Sequence, residues 1–79
     1  MPFDVIKIDG AFVRDMPRND ADQITVKAIV QIARGLGKRT IAEFVQDDDT
    51  TKLLREYGVD MGQGFHFGAP VDAQSLAAA

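Results

Sequence analysis

The chain has 79 residues, a mass of 8.6 kDa, no cysteine, and a formal net charge of −3 with a pI of about 4.8. That length holds one domain at most. It excludes disulfide stapling, and with His66 as its only histidine it excludes a Cys/His zinc centre. An acidic balance disfavours nucleic-acid polymers and anionic membrane surfaces, and no apolar run approaches the ~20 residues that span a bilayer.

Residues 3–8 are short, apolar and rich in β-branched side chains (Val5, Ile6, Ile8), which predicts a buried strand ending before Gly10. Residues 14–20 are polar and broken by Pro17, and read as a loop. A helix is expected over 20–36, capped by Asn19 or Asp20, with Gly37 past its end. Its ridge Ile24, Ala28, Ile32 and Leu36, flanked by Ile29 and Ala33 and widened by Val26 and Val30, is expected to pack on the sheet. Residues 40–45 predict a second strand. The acids Asp47, Asp48 and Asp49 suit the N-terminus of a helix over 51–57, with Leu53, Leu54 and Tyr57 inward and Gly58 as its stop. A glycine-interrupted strand is expected over 59–64, a turn over 68–70, and a last helix over 72–76 capped by Asp72. The order βαβαβα implies an α/β fold with parallel strands and right-handed crossovers.

Sites on parallel sheets form at the carboxyl ends of the strands. Alternation puts Ile6 and Ile8 on one face, and Val5, Lys7 and Asp9 on the other; in the second strand Ile41, Glu43 and Val45 share a face. Lys7, Glu43 and Gln63 fall near equivalent ends of three strands and can converge on a site. The same spacing also allows Lys7 and Glu43 to be an interior ion pair. His66, between two phenylalanines, reads as a packed or strand-end residue. Asp47–49 reads as a solvated cap. Gly62-Gln63-Gly64 lacks the helix start and lysine of a phosphate loop.

Three segments then resemble one family in order and spacing. Phe3-Asp4-Val5-Ile6-Lys7-Ile8-Asp9-Gly10 resembles the lysine strand of EAL domains, the cyclic-di-GMP phosphodiesterases of bacterial signalling. Thr40-Ile41-Ala42-Glu43-Phe44-Val45 resembles their A-E-G-V-E or A-E-F-V-E segment. Gly58-Val59-Asp60-Met61-Gly62-Gln63-Gly64-Phe65, followed by Pro70, resembles their G-x-D-x-x-Q-G-[YF] strand. The resemblance implies that residues 1–79 are a partial EAL domain, the last three βα units of a TIM-type barrel whose full form needs roughly 250 residues. The family's E-A-L signature and its other metal ligands do not occur in these 79 residues.

By the same resemblance, Lys7 contacts the phosphate or the attacking water. Glu43 acts as general base or as ligand to Mg²⁺ or Mn²⁺ once the other ligands are supplied. Gln63 positions the nucleotide or a metal-bound water, and Asp9 supports the lysine or the residues behind the site. Gln46 stands where the family has a second glutamate, and an amide supplies neither a base nor a negative charge. Phosphodiester hydrolysis uses two divalent cations, and each takes several oxygen ligands. One carboxylate does not hold two cations, so the isolated chain is expected to be inactive. The partners implied are cyclic-di-GMP and either the remainder of a barrel or further copies of the chain. No signal peptide is expected from the opening Met1–Asp4, which makes the cytoplasm the expected location. A non-catalytic EAL-derived module that binds nucleotide or self-assembles is the second reading, and an unrelated response-regulator-like domain the third.

Overall fold

The computed structural model describes residues 4–64 and the backbone of residues 71 and 72. Strand β1 (Val5–Ile8) leads into a one-turn helix α1 (Gly10–Val13) and a 3-10 turn over Met16–Arg18. Helix α2 (Asp20–Gly35), strand β2 (Arg39–Val45), helix α3 (Asp48–Tyr57) and strand β3 (Met61–Gly64) follow, and Val71–Asp72 forms a short β4. The sheet order is β1-β2-β3-β4. The first three strands are parallel, each pair joined through a helix, so the expected βαβαβ core forms.

The element ends follow local chemistry. Asn19 accepts from the Asp22 backbone N–H at 3.0 Å and caps α2, which settles the choice between Asn19 and Asp20. Asp47 caps α3 by accepting from the Thr50 N–H at 2.8 Å, and that bond holds its carboxyl below the ordinary carboxylate range. Asp48 and Asp49 occupy the first turn. Gly58 ends α3 at φ +86°, a left-handed conformation that glycine adopts without steric cost.

The core lies between the helices and one sheet face. It joins Ile8, Ala42 and Val45 of the sheet to Val13, Met16, Val26, Val30, Leu54 and Val59. Ile29, Leu53 and Tyr57 pack against it, half-buried. Tyr57 donates to Gln23 Oε1 at 3.5 Å, and Gln23 Nε2 donates to the Met16 carbonyl at 2.9 Å, so the two helices and the turn share one polar seam. Burial, and then the charge of Glu56, push the Tyr57 phenol upward.

Three expectations are corrected. The ridge Ile24, Ala28, Ile32 and Leu36 does not pack on the sheet: it is exposed, and α2 buries Val26, Val30 and Ala33 instead. Either stripe satisfies helical spacing, and spacing alone does not choose between them. The segment before α2 is not wholly irregular, because Asp9 caps α1 and Pro17 starts a 3-10 turn. Finally, β3 does not end the sheet. Met61 and Gly62 pair antiparallel with Asp72 and Val71, so Asp72 lies in a strand and not at a helix cap. The rest of the helix expected over 72–76, the turn over 68–70, and Phe65, His66 and Phe67 lie outside the described residues.

Candidate functional site

Register decides which side chains share a face. Lys7 pairs with Ile41, Ile41 with Met61, and Glu43 with Gln63. Cross-strand partners point the same way, so Lys7, Ile41, Glu43, Met61 and Gln63 lie on the sheet face away from α2 and α3. Of the three strand-end residues, Glu43 and Gln63 are brought together and Lys7 is not. Glu43 and Gln63 are direct register partners and line one cleft of about 250 Å³ with Phe44 and Gly64. Lys7 stands on the same face two residues earlier in register and does not line that cleft. The alternative of a buried Lys7–Glu43 ion pair is not realised: Lys7 is exposed, Glu43 is half-buried, and the two form no salt bridge.

A bulge aims Glu43. Between Glu43 and Val45 the β2–β3 ladder skips Phe44, whose φ is +60°. An extra residue in a strand re-aims the side chains around it, here beside the cleft. Without it, alternation would turn Val45 to the Glu43 face, as the sequence reading expected. With it, Val45 returns to the helix side and is 2% exposed. A phenylalanine in the left-handed region carries strain of about 1–2 kcal/mol.

The Phe44 ring lies over Gly10 and under the Arg14 guanidinium, 5.0 Å from its centroid. A methyl group at Gly10 would overlap the ring. Gly10→Ala is therefore expected to cost about 1–3 kcal/mol through forced repacking. The same change in a Phe44→Gly background should cost close to nothing. Urea titrations of the four proteins check this, and equal costs in both backgrounds would contradict the overlap.

Asp9 accepts from the Ala11 N–H at 2.9 Å and is exposed. Its carboxylate is committed to the start of α1, the segment on which Phe44 rests. Gln46 is exposed just past β2 and does not line the cleft. Sequence reasoning missed two residues that position the site: Phe44, through its bulge, and Asp60. The Asp60 carboxylate accepts from the Thr40 backbone N–H at 2.8 Å and joins the start of β2 to the lead into β3.

The donors present do not make a divalent-cation site. Among the described residues no group of three His, Cys, Asp or Glu could hold a metal ion. Among the described residues Glu43 is the only carboxylate that lines the cleft, and hard cations take about six oxygen ligands. Among the same residues no helix is long and apolar enough to cross a membrane.

Comparison with known proteins agrees with this geometry. The family model described as EAL domain matches residues 1–70. The cyclic di-GMP phosphodiesterase PdeB of Shewanella oneidensis is 37% identical over 70 residues, which cover 89% of this chain and 8% of that protein. The crystal structure of an EAL domain protein from Listeria monocytogenes superposes with a TM-score of 0.77 at 31% identity, over 99% of this chain and 32% of the other. BlrP1 of Klebsiella pneumoniae, in a manganese and cyclic-diGMP complex, gives a TM-score of 0.77 at 31% identity, over 89% of this chain and 18% of that one. The chain thus spans less than a tenth of the curated relative and about a third or less of the solved structures. With the family model matching residues 1–70 and solved EAL domains sharing the order of its strands and helices, the chain belongs to the EAL domain family.

Proposed function

We propose that this chain supplies one wall of a cyclic-di-GMP phosphodiesterase site: Glu43 as its carboxylate, Gln63 as its neutral hydrogen-bonding group, and Lys7 as its cation. The observation that carries this reading is the placement of all three on one open sheet face, with Glu43 and Gln63 in register over a single cleft. A phosphodiester beside that wall meets a positive charge from Lys7. Gln63 donates and accepts without titrating, which suits holding a nucleotide in register. Asp9 stabilises α1, which carries Gly10 against the Phe44 ring. Gln46 lies outside the cleft and adds no charge to it.

The remaining ligands and the opposite wall come from other strands of a complete barrel. In this reading β1 keeps an open edge for the strand that would precede it, and the partners are that remainder of the barrel and the dinucleotide. A cytoplasmic location and a role in bacterial second-messenger signalling go with it, supported by the bacterial relatives. The second reading, a nucleotide-binding module without turnover, draws support from Gln46 at the second-glutamate position.

The purified chain, assayed with cyclic-di-GMP and Mn²⁺ or Mg²⁺, should show no hydrolysis above a buffer blank. Turnover that disappears with Glu43→Ala would overturn the division of the site between this chain and the rest of a barrel. A hybrid in which residues 4–64 replace the matching segment of the Shewanella oneidensis phosphodiesterase PdeB should hydrolyse the dinucleotide. Glu43→Ala in that hybrid should lower the rate by at least about 100-fold, the usual effect of deleting a general base or a charge-stabilising group. An unchanged rate would remove Glu43 from the site.

A further inference from the structure

Strand β2 can continue past Glu43 in two ways, and Phe44 separates them. In the structure Phe44 takes φ +60° and stands outside the ladder, while Val45 pairs with Gly64 and is 2% exposed on the helix side. With Phe44 extended, alternation would send its ring to the helix side and bring Val45 onto the Glu43 face. The left-handed region disfavours a residue with a Cβ by roughly five- to thirtyfold. The Phe44 ring is 47% exposed, too open for burial alone to hold it there.

Helix α1 supplies the hold. Gly10 and Arg14 stand four residues apart, on one side of a single turn. The Arg14 backbone N–H donates to the Gly10 carbonyl at 2.9 Å, and Asp9 fixes the start of the turn by accepting from the Ala11 N–H. The spacing of the two residues is therefore set. The bare Cα of Gly10 admits the edge of the ring, and the Arg14 guanidinium covers its face. Among the described residues Arg14 forms no ion pair that would draw it off the ring. A cation over an aromatic face at an exposed site shifts an equilibrium by roughly two- to fivefold.

We propose that Arg14 is a positioning residue for Glu43, acting through the Phe44 ring. The guanidinium holds the ring against α1, the ring holds the bulge, and the bulge keeps Glu43 on the cleft and Val45 out of it. Arg14 does not line the cleft itself, so its effect on chemistry there is indirect. The guanidinium stays charged throughout the pH range of a folded protein, so the clamp does not titrate. What Glu43 does in the cleft rests on the phosphodiesterase reading; the hold on β2 does not.

Amide hydrogen exchange in the full chain reads the clamp without nucleotide. Arg14→Gln should speed exchange at Glu43 and Val45 by about two- to fivefold more than at Leu54, because local opening of β2 gains population. Arg14→Lys keeps the charge without the planar stack and should fall between. In a Phe44→Gly background, where glycine takes a positive φ freely, Arg14→Gln should leave the difference between β2 and Leu54 unchanged. Equal acceleration at Glu43 and Leu54 overturns the proposal, and so does the same local acceleration with glycine at position 44. In the PdeB hybrid, Arg14→Gln should lower kcat by about two- to fivefold at an unchanged KM, and Phe44→Gly should abolish that difference. A rise in KM that persists with Phe44→Gly would put Arg14 on the nucleotide and also overturn the proposal. An unchanged rate in the Glu43→Ala hybrid would defeat the phosphodiesterase reading alone, since the exchange pattern is measured without nucleotide.

Discussion

Leu54→Ala should lower the unfolding free energy by about 3 kcal/mol, the middle of the range for a fully buried leucine. Leu54 is 0% exposed and is the main contribution of α3 to the core. Its burial is forced from both ends of the helix. Asp47 fixes the first turn and Gly58 turns the chain back, where the Val59 N–H donates to the Leu54 carbonyl at 3.0 Å. With the backbone so pinned, the helix cannot tilt inward to fill the space, and most of the cavity cost remains. A chain of 79 residues has a total stability of roughly 4–12 kcal/mol, so this one change removes a large share. In urea the midpoint should fall by about 2–3 M at an unchanged slope. Leu53, half-buried at the rim, should cost about 1 kcal/mol on the same substitution, because solvent fills part of its space. Equal costs at the two positions would contradict the assigned inward face of α3.

Much of this fold was legible because local rules were strong where they applied. The caps Asn19 and Asp47 and the stop at Gly58 follow from backbone groups that need partners, and the structure uses all three. Alternation placed Lys7 and Glu43 on one face correctly, since β1 and the first part of β2 are regular. It failed at Val45 because a bulge has no periodic signature. The inward stripe of α2 was misassigned for a different reason. Ile24–Leu36 and Val26–Ala33 are both apolar, and spacing cannot say which one meets the sheet. Strand β4 was missed because two residues carry no pattern. The placing of Glu43 beside Gln63 followed from strand spacing, while the distance of Lys7 from their cleft depends on register, which spacing does not give. Asp60 was not, because its partner Thr40 lies 20 residues away and only the parallel pairing of β2 and β3 brings them together.

That pairing is where the second large effect is expected. Asp60→Ala should destabilise the chain by about 2 kcal/mol. The Thr40 residue is 1% exposed, and its backbone N–H has the Asp60 carboxylate as acceptor at 2.8 Å. The Thr40 hydroxyl also bonds that carboxylate at 3.4 Å and accepts from the Asp60 N–H at 3.2 Å. Alanine leaves a buried donor without a partner, which costs its full desolvation. Asp60→Asn keeps an acceptor oxygen and should cost less than half as much. Thr40→Ala should cost about 1 kcal/mol, and the double variant should fall short of the sum, since both changes break one network. The clamp sits one residue before the Ile41–Met61 pair and three before the Glu43–Gln63 pair. Releasing it should therefore speed amide exchange at Ala42 and Glu43 more than at Leu54, which a global loss of stability would not do. Uniform acceleration would mean that Asp60 stabilises the fold without setting the register that brings Glu43 opposite Gln63.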